Sequence, residues 1–146
     1  MIQQGLNAYR RTEVQSRTPL ELVVMLYDGA LRFVAMAGDA MIRRDIPARR
    51  HATTRLLAIV SELQSTLDLE RGGEVARSLD ALYVYMTERI ATAAVTSDPA
   101  PLDEVRRLLE MLRDAWQTIA RGAAVDPVVA AGAVAAADTV ALERVR

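Results

Sequence analysis

Between residues 18 and 122, apolar side chains return every three or four positions in four successive runs, each closed by proline, glycine or paired charge. Val23, Tyr27, Ala30, Val34, Ala37 and Met41 alternate steps of four and three. At 3.6 residues per turn, these six fall on one helical face. Ala52, Leu56, Ile59, Leu63 and Leu67 make the second stripe. Val75, Leu79, Leu82, Met86, Ile90 and Ala93 make the third, and Leu102, Val105, Leu109, Leu112, Trp116 and Ile119 the fourth. Strand signals are absent. Four helices with short connections pack as an all-α, antiparallel up-down four-helix bundle, the fold expected here.

The punctuation sets the boundaries. Thr18-Pro19-Leu20-Glu21 reads as a capping box with proline at the first helical position. Arg43-Arg44 ends the first helix, where positive charge suits the dipole. Asp45-Ile46-Pro47 starts the second, which is expected to run to Gly72-Gly73. Ser97-Asp98-Pro99-Ala100-Pro101 separates the third helix from the fourth, and Gly122 stops the fourth. Residues 18–122 thus form the bundle domain. Residues 1–17 are polar and aperiodic, with Leu6 and Tyr9 as isolated anchors, and are expected to be a flexible N-terminal arm. Residues 123–146 are rich in alanine and valine. Asp126-Pro127 is a start signal, and Val128, Ala131, Ala135, Leu142 and Val145 share a face, so an extra C-terminal Ala-rich helix is expected, weakly docked or mobile.

Composition removes most chemistry. There is no cysteine, so disulfides, thiolate catalysis and cysteine zinc sites are excluded. Every cation is arginine, which excludes lysine Schiff bases. The 18 basic and 19 acidic residues leave no basic excess, so no nucleic-acid partner is expected. Residues 20–37 are apolar but interrupted by Glu21, Asp28, Gly29 and Arg32, which argues against membrane insertion. Arg10-Arg11 is followed by polar residues rather than an apolar signal core, and the chain is expected to be cytoplasmic. His51 is the one histidine. The sequence after it, Ala52-Thr53-Thr54-Arg55, lacks the basic residue and glycine typical of a phosphotransfer histidine. A di-iron bundle would need glutamate three residues earlier, where Ala48 stands. No catalytic constellation, cofactor site or metal site emerges, and no enzyme is expected. Arg43, Arg44, Arg49, Arg50 and Arg55 surround the first turn, either as a solvated bundle end or as a dock for an acidic partner.

Surplus apolar surface is the better clue. Leu79-Asp80-Ala81-Leu82-Tyr83-Val84-Tyr85-Met86 is apolar almost all round. With Leu79, Leu82 and Met86 assigned to the core, Tyr83 and Tyr85 flank that stripe and Val84 points away. Val24 and Leu31 form a second face about Asp28, and Leu57 adds to the second helix. A helix apolar beyond its core stripe usually meets a second partner, and helix-in-groove binding is the natural mode. Tyrosine suits such a surface because its ring buries while its hydroxyl stays wet.

A family resemblance rests on ordered pieces. Gly5-Leu6-Asn7-Ala8-Tyr9, Thr18-Pro19-Leu20-Glu21-Leu22 and Met25-Leu26-Tyr27-Asp28-Gly29-Ala30 resemble the start of the flagellar export chaperones of the FliS family. Residues 63–69, Gly72-Gly73-Glu74-Val75-Ala76, Leu82-Tyr83-Val84-Tyr85-Met86 and Arg89-Ile90 continue it. Glu104-Val105, Leu108-Leu109 and Arg113-Asp114-Ala115-Trp116 complete it, over about residues 5 to 120.

The resemblance implies an antiparallel helical bundle. It implies an ATP-independent cytosolic binder that wraps the disordered C-terminal segment of flagellin and delivers it to the export gate, including FlhA. Leu6 and Tyr9 match the apolar anchors of the family's arm. The expected partner-binding residues are therefore Leu6, Tyr9, Val24, Leu31, Leu57, Tyr83, Val84 and Tyr85. A homodimer is left open. The 123–146 extension matches nothing in the family pattern, and it is expected to lie in the empty groove until flagellin displaces it. The rival reading is a generic dimerisation or signalling bundle, which phosphate labelling of His51 would reveal.

Overall fold

The computed structural model describes residues 18–122. Four helices follow in order: α1 (Pro19–Arg43), α2 (Ile46–Ser65), α3 (Leu69–Thr96) and α4 (Ala100–Ala120), with no strand among the described residues. The arm 1–17, with Leu6 and Tyr9, and the expected fifth helix in 123–146 lie outside the described residues.

Caps fix the first two helices. Thr18 Oγ1 accepts the Glu21 N–H at 3.2 Å, and the Glu21 carboxylate accepts the Thr18 N–H at 3.2 Å, satisfying two donors that an uncapped helix leaves open. Arg44 takes the left-handed conformation at φ 57°. Its N–H donates to Met41 O at 3.2 Å and the Asp45 N–H to Ala40 O at 2.9 Å, the paired closure of a Schellman turn. Asp45 then caps α2 by accepting the Ala48 N–H at 3.1 Å.

The second helix ends earlier than its stripe suggests. α2 stops at Ser65, and Leu67 lies in the connection rather than on the helix. Thr66 turns its hydroxyl back to Leu63 O at 2.7 Å. Asp68 caps a new helix by accepting the Glu70 and Arg71 N–H groups at 3.1 and 3.0 Å. Three local side-chain bonds to the backbone therefore outcompete continuation of the helix. The glycine pair does not terminate α2. It sits inside α3, where Gly73 at φ 55°, ψ −133° makes a kink in a region that only glycine enters cheaply.

Polar contacts tie neighbouring helices together, and the two between α2 and α3, one near each end, show that pair to be antiparallel, as the short connections require of all four. Arg113 Nε on α4 reaches Asp28 on α1 at 2.7 Å. Gln64 at the end of α2 reaches Asp80 on α3 at 2.9 Å, while Arg49 at its start reaches Ser97 beyond α3 at 2.6 Å. Arg89 on α3 reaches Glu104 on α4 at 2.9 Å. α1 packs on α2 and α4, and α3 closes the ring against α2 and α4. Four antiparallel helices return the chain to its starting pole, so Thr18 and Gly122 emerge at the same end.

The core follows the predicted stripe on α1 and most of that on α4, while on α2 Val60 takes the core place expected of Ile59, which is only partly buried. Val23, Tyr27, Ala30, Val34 and Ala37 meet Ala52, Leu56, Val60 and Leu63, all buried. Gly29 permits this closeness: a Cβ there would stand 3.3 Å from Ile59 Cδ1 on α2.

α3 departs from expectation. Its buried side is Ala76, Tyr83, Met86, Ile90 and Ala93, whereas Leu79 and Leu82 are only partly buried. Tyr83, expected on the flank, is 1% exposed. The reason is a partner for its hydroxyl. Tyr83 OH hydrogen-bonds Tyr27 OH across the diagonal of the bundle, with the Tyr27 ring 6.5 Å from that of Trp116. A buried tyrosine hydroxyl needs such a partner, and with one the ring fills the core as well as leucine does. Burial raises the pKa of Tyr83 to about 12 and that of Tyr27 well above its usual value.

Candidate partner-binding surface

With Tyr83 turned inward, α3 becomes a ridge whose two flanks are unequal. On the α4 flank, Tyr85 OH donates to the Glu104 carboxylate, which Arg89 also holds. The tyrosine bond is the main influence keeping the Glu104 carboxyl below its usual pKa, and the same bond raises Tyr85. This exposed clamp fixes the register of the two helices. Counting down from it on antiparallel helices brings Leu82 level with Leu108 and Leu79 level with Leu112, and Val75 lies level with Trp116, one turn short of Ile119.

All of these except Trp116 remain partly exposed. Met111 on the outer edge of α4 is 58% exposed and Tyr85 40%. The result is an apolar seam that the helices leave half closed, with a polar clasp at its upper end. Its length along α4, from Ile119 to Glu104, is roughly 23 Å at about 1.5 Å per residue.

The other expected residues scatter. Val84, 42% exposed, and the half-buried Leu57 flank the α2–α3 side of the ridge. The second apolar face of α1 is not spare. Val24 is buried and Leu31 packs against the core, because α4 covers that side and Arg113 pins Asp28 between them. Below this pin lies a hollow of about 260 Å³ lined by Glu21, Val24, Met25, Arg113, Gln117 and Arg121, among others. Tyr83 and Val24 are therefore buried in the closed bundle, while Tyr85, Val84, Leu57 and Leu31 reach the surface to differing degrees.

Periodicity missed Leu108 and Met111. Both stand off the predicted α4 stripe, and an off-stripe leucine and methionine three residues apart was the signal available. His51 is exposed and stands edge-on to Phe33 with ring centroids 6.4 Å apart. The arginines at the α1–α2 turn are partly engaged: Arg43 with Asp39 at 3.0 Å and Asp45 at 3.9 Å, and Arg49 with Ser97. No cluster of three or more metal-ligating side chains occurs among the described residues, and none of their helices is long and apolar enough to cross a membrane.

The all-helical ring thus leaves apolar side chains half open along α3 and α4. The profile of the family described as flagellar protein FliS matches residues 2–123. The chain belongs to the FliS family. It is 36% identical over 113 residues to the flagellar secretion chaperone FliS of Campylobacter jejuni, covering 77% of this chain and 88% of that one. It is 37% identical over 107 residues to the flagellar secretion chaperone FliSB of Pseudomonas aeruginosa, covering 73% and 85%. With the FliS of Bacillus subtilis the figures are 34% over 116 residues, 80% and 86%. The match takes in the arm with Leu6 and Tyr9 as well as the bundle. Residues 124–146 lie beyond it.

Proposed function

We propose that this chain is a cytoplasmic flagellar secretion chaperone that holds the C-terminal segment of flagellin against the α3 ridge, mainly along the α3–α4 seam. The observation that carries this reading is the half-closed row of Leu79, Leu82, Leu108 and Leu112, edged by Met111 and Tyr85. An amphipathic segment laid there covers leucine surface that the bundle leaves wet. Val84 and Leu57 extend contact to the other flank of α3, and Leu6 and Tyr9 contribute from the arm.

The mechanism is binding alone, with no bond made or broken. A flagellin end that is free associates with other subunits through its apolar face, and a covered face does not. Ordering that segment costs conformational entropy, so a long, continuous surface is required for useful affinity. The loaded complex is then presented to the export gate protein FlhA.

Calorimetry with a flagellin C-terminal peptide tests the proposal. Met111→Asp and Tyr85→Ala are each expected to weaken binding about tenfold, which corresponds to about 1.4 kcal/mol. Ile42→Asp, at the far pole on an exposed position, is expected to leave it unchanged. Equal affinity for all four proteins, with unchanged helical circular dichroism, would overturn the assignment.

A further inference from the structure

We infer that the α1–α2 turn and the adjoining outer face of α2 form a docking site for an acidic protein segment carrying an apolar anchor, separate from the α3–α4 seam. Ile46 is at its centre. This first residue of α2 is 55% exposed and borders two hollows. One, of about 230 Å³, has Ala40, Met41 and Ile46 as its apolar part, with Arg44, Arg49 and Ser97 beside them. The other runs along α2 past Pro47, Arg50, His51 and Thr54. An exposed isoleucine between two recesses offers an anchor point to a partner.

The charge around Ile46 decides what docks. Arg44 and Arg50 are exposed and join no ion pair or hydrogen bond among the described residues, and Arg49 donates to the neutral Ser97 hydroxyl at 2.6 Å. The nearby carboxylates are already held. Asp39 pairs with Arg43 at 3.0 Å, Asp45 accepts the Ala48 N–H at 3.1 Å, and Asp98 accepts the Ala100 N–H at 3.0 Å. From residue 46 to residue 61, α2 carries three arginines and no acidic residue. Arg49 and Arg50 also stand near the positive end of the helix dipole, which repels them. A bound carboxylate meets both the guanidiniums and that helix end.

Other occupants fit less well. A second copy facing the site by two-fold symmetry would set arginine against arginine. Nucleic acid has no apolar side chain to cover Ile46, and the formal net charge of −1 supplies no wider attraction for phosphate. A flat anionic membrane has nothing to enter the hollows. The site lies on the α1–α2 side of the ring, so a flagellin segment held along α3 and α4 leaves it open to a second protein. That simultaneous loading rests on the function proposed above. The docking itself does not.

The probe is a fluorescein-labelled helical peptide with leucine at every third and fourth position and glutamate elsewhere, beside one with lysine in place of glutamate. Fluorescence anisotropy with the full-length protein is expected to show binding of the acidic peptide alone, weakened about fivefold by added salt. His51 is the one histidine and lines the second hollow, so its imidazole proton resonances are expected to shift on binding. Arg50→Glu is expected to weaken binding about fivefold and Ile46→Ser about tenfold. Arg77→Glu, the same charge change on exposed α3 surface, is expected to leave it unchanged. Glutamate near a helix N-terminus favours the helix, so a loss in Arg50→Glu does not arise from unfolding. Excess flagellin peptide is expected to leave all these affinities as they are.

Failure of the acidic peptide to bind overturns the docking, and phosphatidylglycerol vesicles or single-stranded RNA binding through Arg50 in its place would show another class of partner. Equal binding of the two peptides, equal affinity in Arg50→Glu, or an unmoved His51 resonance also overturns it, as does a dimer in sedimentation that Arg50→Glu dissolves. Competition by the flagellin peptide overturns the separation of the two sites. A protein that binds the acidic peptide but no flagellin peptide upholds the docking and sinks the flagellin reading instead.

Discussion

Leu56 on α2 and Leu108 on α4 stand in bundle helices of nearly equal length, yet Leu56 is sealed and Leu108 remains partly wet. The α1–α2 half is closed by small residues. Gly29, Ala30, Ala37 and Ala52 let the two backbones approach until larger side chains interlock. In the α3–α4 half the buried alanines, Ala76 and Ala93, stand on α3 alone, and α4 buries none. Tyr83 is buried while Leu79 and Leu82 stay only partly so, and the Tyr85–Glu104–Arg89 clamp ties α3 to α4 at the surface. One half supplies stability and the other keeps apolar surface in reserve.

The two halves are expected to respond differently to truncation. Leu56→Ala is expected to cost about 3 kcal/mol, the usual loss for a sealed leucine, against about 1 kcal/mol for Leu108→Ala. Urea denaturation measures both, and equal costs would mean that the seam is as tightly packed as the other half.

The tyrosine pair that ties the halves together gives a pH signature. Tyr83 has a folded pKa of about 12 against an ordinary 10. Its contribution is therefore complete below pH 10 and is lost as pH rises from 10 through 12. A tenfold change in proton affinity is worth about 1.4 kcal/mol, so the loss amounts to roughly 3 kcal/mol as an upper figure. Alkaline titration followed by circular dichroism is expected to show this loss, and Tyr27→Phe with Tyr83→Phe to abolish it.

A smaller effect is expected at the base of α3. Gly73→Ala should cost about 1–2 kcal/mol, because φ 55° disfavours any side chain although space is open around it. Thermal melts read this loss, and an unchanged midpoint would show that the kink relaxes freely.

Much of this architecture was legible in the residue order. The count of helices, the Thr18–Glu21 box, the bounds of α1, the end of α4 and the core stripe of α1 all followed from spacing and caps, while α4 begins at Ala100, inside the stretch read as a break. Two features did not. The Thr66 back-bond and the Asp68 cap split α2 from α3 several residues before the more conspicuous glycine pair. The inward turn of Tyr83 depended on Tyr27, 56 residues away, and no local pattern announces such a partner. The surface was harder still. Periodicity reports that Val24, Leu31 and Leu108 are apolar, but not that α4 covers the first two while the third stays half open. Coverage is a property of the neighbour.

The return of the fourth helix to the pole where the first begins gives the bundle the topology of a loop with a single cut. Joining residues 18 and 122 by a short linker and reopening the chain in the turn after Ser97 preserves every interhelical contact described. The helices care about their neighbours around the ring, not about which of them the ribosome makes first.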